Sequence, residues 1–234
     1  MNLLALDTST EFLSLALQVG DEKGCDKTYT HYQRAGQAAS QLVLPQIQAL
    51  LDSANIKLQD LDGIAFGAGP GAFTGVRVAC GVAQGLGFGA GLPVHGVNTL
   101  LALAQASGQD KVIACLDARM GEIYHAAFVR QDNAWQEVSP TGLYKPEAAP
   151  VLEGVEWVGA GSGWAAYEAI LSSIYVKNLS QILATVTPSA TAILQLALPT
   201  FEAGLAKPAS EAAPIYIRNR VALTTLEREQ GQRL

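Results

Sequence analysis

The chain is poor in charge. Of its 234 residues only 15% are Asp, Glu, Lys or Arg, against 49% hydrophobic. That balance excludes a disordered chain and supplies ample apolar material for a packed core. Basic charge is scarcer than acidic charge: 15 Lys and Arg against 21 Asp and Glu, a net charge of −6. A phosphate backbone attracts surplus Lys and Arg, so direct nucleic-acid binding is disfavoured and another subunit would have to grip any RNA substrate. Cysteine is scarce as well. Cys25, Cys80 and Cys115 are far apart, odd in number and form no CxxC pair, the usage of small buried hydrophobes in a reduced cytoplasm.

Chemistry-bearing motifs are also missing. His31, His95 and His125 are isolated, and no HxxxH pair sets two imidazoles on one helix face. No GxSxG nucleophile elbow occurs. No metal ligand and no catalytic residue is therefore assigned. Met1 to Asp7 runs straight into a strand pattern, without the basic start and long apolar run of a signal peptide. Val78 to Gln109 carries no charge and is long enough to span a bilayer, but it is rich in glycine and broken at Gly91-Leu92-Pro93. A buried helix, a turn, a short strand and a second helix account for it better. A soluble, cytoplasmic protein is expected.

What is present alternates strands with helices. Strands are expected at Leu3–Leu6, Phe12–Gln18, about Cys25–Tyr32, Gly63–Gly67 and Val94-His95. Helices are expected at Ser40–Ala54, about Phe73–Gly89 and Asn98–Ala106. Val112–Asp117, a polar turn and a strand through Val129 then echo the first hairpin, with Asp7 and Asp117 lying 110 residues apart. A duplication would give two similar lobes, divided here as 1–108 and 109–234. Beyond it follow a strand at Glu156–Val158, helices at Gly163–Ser172 and Ser189–Ala203, a linker at Lys207–Pro214, and a strand or extended arm at Ile215-Tyr216-Ile217. The tail from about 211 is expected to pack back on the first lobe. Its arginines Arg218, Arg220, Arg228 and Arg233 outnumber Glu227 and Glu229, which fits either an RNA or acidic-partner contact or a solvated tail.

Two lobes, each begun by strand, Asp, turn and strand, resemble the actin-like/sugar-kinase (ASKHA) superfamily, an α/β fold with a mixed sheet flanked by helices in each lobe. That resemblance implies nucleotide phosphates at the two hairpin turns, with Asp7, Thr8 and Ser9 in the first and Asp117 and Arg119 in the second. The alternative for the first turn is an Asx turn capping the hairpin. Arg119 either meets phosphate or pairs with Glu122. The segment Gly67-Ala68-Gly69-Pro70-Gly71-Ala72-Phe73-Thr74-Gly75 is neither GxxxxGK[ST] nor GxGxxG. It reads as a structural turn more readily than as a phosphate loop. Gly81, Gly85 and Gly89 recur one helical turn apart, at about 1 kcal/mol of helix propensity each. They point to close approach of a backbone, from this chain or a partner.

Leu4–Glu11, Gly69-Pro70-Gly71-Ala72-Phe73-Thr74-Gly75-Val76-Arg77, Gln84-Gly85-Leu86, Leu116–Tyr124 and Pro214–Asn219 together resemble the bacterial YeaZ/TsaB family, in family order and over nearly the whole chain. The resemblance implies a non-catalytic partner of TsaD and the ATPase TsaE in tRNA threonylcarbamoyladenosine synthesis. TsaD would do the transfer, holding metal through paired histidines that this chain lacks. Tethering to tRNA would be indirect, through the complex. The resemblance also implies pairing, with TsaD or with a second copy, through the helices near Ser40–Asp52 and Phe73–Gly89. In this chain that surface would comprise Leu42, Gln46, Phe73, Val76, Arg77, Gly81 and Gly85. ATP or ADP is implied in the cleft or at the partner interface, with no cofactor of the chain's own. Two departures stand out: Ala72 where the family commonly has serine, and Ala39 where it has histidine. Both weaken any chemistry in the first lobe. The rival readings are a small-molecule kinase or ATPase of the same fold and, weakly, a peptidase.

Overall fold

The computed structural model describes residues 1–20 and 26–218. Leu3–Asp7 (β1) is buried at every position, as expected of a strand covered on both faces. It pairs antiparallel with Phe12–Val19 (β2), which pairs antiparallel with the edge strand Lys27–Arg34 (β3). On its other side β1 pairs parallel with Gly63–Gly69 (β4), and β4 with Val94–Asn98 (β5). The sheet order is β3-β2-β1-β4-β5.

The second half repeats this plan. Lys111–Arg119 (β6), Glu122–Gln131 (β7), Ala134–Tyr144 (β8), Trp157–Ala160 (β9) and Leu179–Leu183 (β10) form a sheet of order β8-β7-β6-β9-β10. The first two pairings are again antiparallel and the last two parallel. β6 thus stands for β1, and Asp117 sits near the end of β6 as Asp7 sits at the end of β1. The two-lobed ASKHA-like α/β fold follows from this repetition.

Helices Ala39–Ala54 (α1) and Phe73–Ala90 (α2) cover one face of the first sheet. Val43, Ile47, Leu50 and Leu51 of α1 and Ala79 and Ala83 of α2 pack with Leu4, Leu6, Leu13, Leu15 and Leu17. The other face carries alanines, Ala5, Ala16 and Ala65, which let a helix lie close. That helix is Ala190–Glu202 (α5), which arrives from the C-terminal half of the chain. Its Phe201 ring lies where a side chain at Gly63 would be. Ser14 Oγ of β2 accepts from Ala190 N, and Ser189 Oγ caps the helix by accepting from Ala192 N.

Reciprocally, Thr99–Ala106 (α3), from the N-terminal half, packs Leu100, Leu103 and Ala104 on Val112, Ala114 and Leu116 of β6. Asn98 caps it by accepting from Leu100 N and Leu101 N. α3 and α5 touch between the sheets. The residue at which the sequence divides the lobes, Gly108, lies in the turn between α3 and β6. Ser162–Ile174 (α4) covers the outer face of the second sheet, where Trp164, Leu171 and Tyr175 pack on Ile113, Cys115 and Ile123.

Several expected boundaries move. β3 begins at Lys27 and runs to Arg34, whereas Cys25 lies outside the described residues. β4 extends to Gly69, and β9 is Trp157–Ala160 rather than Glu156–Val158. β8 and β10 were not anticipated. Lys207–Pro214 is more than a linker: Lys207 bridges to Val94, and Ala209–Glu211 forms a turn of 3-10 helix against α2. Ile215–Ile217 belongs to no strand and joins no sheet. Arg220, Glu227, Arg228, Glu229 and Arg233 lie outside the described residues.

Candidate functional site

The two hairpin turns face one another across a cleft of ≈ 1490 Å³ between the lobes. Asp7 ends β1 beneath the first turn. Its Oδ1 accepts from both Ser9 N and Ser9 Oγ, at 3.1 and 2.9 Å, which is an Asx turn. Its Oδ2 has no partner and lies in the space a side chain at Gly67 would need. Burial raises the Asp7 pKa to about 6, and the two bonds from Ser9 only partly oppose that rise. Asp7 is 1% exposed and stands behind the cleft wall rather than in it. Thr8 and Ser9 do line the cleft, but their hydroxyls are committed elsewhere, Thr8 Oγ1 donating to Gly75 O and Ser9 Oγ to Asp7.

The glycines of the segment after β4 fit this packing. A side chain at Gly75 would run into the Thr8 carbonyl, and one at Gly71 would meet Ser9. Ala72 N donates to Ser9 O at 2.7 Å, and Ala72 provides no side-chain cap to α2. The segment locks the start of α2 onto the first turn, in keeping with its reading as a structural turn.

The second turn is a two-residue hairpin loop. Met120 and Gly121, at φ 59° and 74°, link the paired residues Arg119 and Glu122. Asp117 accepts from Arg119 twice, Oδ1 from the backbone N–H and Oδ2 from the guanidinium at 3.0 Å. Of the two readings offered for Arg119, the ion pair with Glu122 is not formed. Arg119 folds back on the nearer carboxylate, and its side chain stays 86% exposed. Glu122 instead meets Arg218 at 2.7 Å. At another edge of the cleft, Tyr32 and Thr187 join through a hydroxyl–hydroxyl bond of 2.7 Å.

The partner face implied by the resemblance divides into exposed and buried members. Phe73 is half exposed, and the Arg77 guanidinium lies 3.2 Å over its ring while donating to Phe73 O. Gly81, Gly85 and Gly89 are exposed, and a side chain at any of them would meet nothing within 4 Å. Among the described residues no part of this chain approaches them, whereas two other glycines of the same helix do meet the chain, Gly75 against Thr8 and Gly87 against Ala209. Leu42 and Gln46 are half buried, with Leu42 resting on the first core. Val76 is 3% exposed and packs towards Gly69, so it belongs to the interior and not to the surface. Sequence reasoning missed Tyr216, whose ring lies 4.7 Å from the Arg77 guanidinium, and the exposed Phe88. The run Ile215-Tyr216-Ile217 was the available signal for Tyr216.

Among the described residues no group of three His, Cys, Asp or Glu could hold a metal, and no helix is long and apolar enough to cross a membrane.

Comparison with known proteins completes the picture. The chain is 36% identical to the tRNA threonylcarbamoyladenosine biosynthesis protein TsaB of Escherichia coli, over 95% of this chain and 96% of that one. It is 38% identical to the Haemophilus influenzae protein of the same name, over 94% and 95%. The chain belongs to the YeaZ/TsaB family. The solved structure of YeaZ from Pseudomonas aeruginosa is similar at a TM-score of 0.79 and 37% identity, covering 92% of this chain and 99% of that one. A second structure, described as an uncharacterized protein with similarity to peptidase YeaZ from the same organism, reaches 0.84 at 37% identity, over 93% and 99%. The family model described as TsaD, tRNA N6-adenosine threonylcarbamoyltransferase, matches residues 31–225, which sets the YeaZ/TsaB chain within that wider family.

Proposed function

We propose that this chain works in tRNA threonylcarbamoyladenosine biosynthesis, the process named in its TsaB relatives, and that it does so as a non-catalytic partner subunit. Its partners on this reading are TsaD, which carries out the transfer to the adenosine beside the anticodon, and TsaE; pairing with a second copy would use the same face. It meets tRNA through the complex, in the cytoplasm. The observation that carries the reading is the exposed face of α2. Three glycines there leave helix backbone open beside the stacked Phe73 and Arg77, a surface on which a second helix can lie close.

The internal commitment of the Thr8 and Ser9 hydroxyls and the burial of Asp7 behind the cleft wall also favour a scaffold over an enzyme. ATP or ADP remains a proposed occupant of the cleft or the partner interface, with Asp117 and Arg119 the polar groups nearest to hand. The test is co-purification with TsaD from the same organism, followed by sizing. A complex is expected from the wild type and a loss of at least tenfold in affinity from Phe73→Ala with Arg77→Ala. Failure to form a complex under any nucleotide condition overturns the partner role. Robust transfer by this protein alone, or steady ATP turnover abolished by Asp7→Ala, overturns the non-catalytic role.

A further inference from the structure

We infer that residues 214–218 form a strap that ties the two lobes together across the cleft, so that its release loosens the cleft wall. The strap is fixed at both ends. Ile215 N donates to Ala68 O of β4 at 2.7 Å, anchoring it in the first lobe, and Ile215 O lies close against Gly69. Three residues on, the Arg218 guanidinium pairs with Glu122 at 2.7 Å and donates to Ala118 O and Met120 Sδ at 3.0 Å, anchoring it in the second lobe. Between the anchors Tyr216 lies over Arg77, and Ile215 through Arg218 line the cleft.

The two anchors differ in kind. The first is a single backbone bond of the sort a strand makes. The second gathers a charge pair and two further acceptors on an Arg218 side chain only 11% exposed, where an ion pair is screened less than on an open surface. It also touches Met120, which with Arg119 sits in left-handed backbone at the loop facing the cleft. A strap pinned by a strong distal anchor transmits the state of that anchor to the weak proximal one.

The test is amide hydrogen exchange, resolved to single residues, on the full chain and on Arg218→Ala and Glu122→Gln. A strap acting as a unit predicts that Arg218→Ala speeds exchange at the Ile215 amide at least tenfold, together with amides of Thr10–Phe12 on the first-lobe wall of the cleft. Faster exchange confined to residues 118–122, with Ile215 unchanged, overturns it. If Arg218→Ala does not fold, Glu122→Gln decides by the same reading: at least a threefold gain at Ile215 supports the strap, and none overturns it. Binding of TsaD is not needed for either outcome, so the strap and the proposed partner role fail separately.

Discussion

The free oxygen of the Asp7 carboxylate occupies the space that a side chain at Gly67 would fill. The fold makes room for a charge that it then leaves half unpartnered. Since folding raises this pKa from 3.8 to about 6, the native state holds the proton more tightly than the unfolded chain. The resulting stability is present below pH 3.8 and is lost as the pH rises through 6.

Asp7→Asn should therefore stabilise the protein at neutral pH, by up to about 3 kcal/mol from the size of the shift. Asparagine keeps the acceptor for Ser9 and removes the buried charge. Urea denaturation at pH 4 and pH 7 checks it: the gain must shrink towards pH 4. A variant less stable than wild type at pH 7 would show that the carboxylate is held by a group in the native protein.

His125 works in the opposite sense. It is buried, bonded through Nε2 to the Tyr175 hydroxyl at 2.9 Å and stacked on that ring, and burial lowers its pKa to about 4. The unfolded chain takes up the proton first, so stability falls as the pH drops from 6.5 towards 4, by about 3 kcal/mol at most. His125→Phe should flatten that acid limb while Tyr175 keeps its bond to Pro150 O. An unchanged acid limb in the variant refutes the assignment.

Two glycine substitutions separate packing from docking. Gly75→Ala drives a methyl into the Thr8 carbonyl and should cost at least about 2 kcal/mol, in the range of core overpacking. Gly85→Ala meets nothing and should raise stability by about 0.5–1 kcal/mol through helix propensity. Thermal unfolding of both gives the sign. Gly85→Leu should leave stability near wild type while weakening TsaD binding at least tenfold; unimpaired binding would move the partner off this face.

Much of the architecture was legible because its strands are covered on both faces. β1, β2 and β4 read as apolar runs, and the echo at Asp117 proved to be a second sheet of the same order. β8 and β10 escaped because they lie at the edges of the second sheet. β8 is largely exposed and carries Pro140 and Gly142, and β10 is short, so neither shows a buried face to alternate. The site was legible in outline only. Composition could not show that Asp7 stands behind the wall, nor that Val76 turns inward beside Phe73 and Arg77. Arg218 was visible in the Pro214–Asn219 motif and in a basic tail but not as an ion-pair member, since its partner Glu122 lies 96 residues away and no local spacing joins them.

The crossing of α3 and α5 has a consequence for how the chain comes apart. Each half lends the other the helix that shields its inner sheet face, so neither half is self-sufficient. The present chain should accordingly melt in a single transition, with no surviving half.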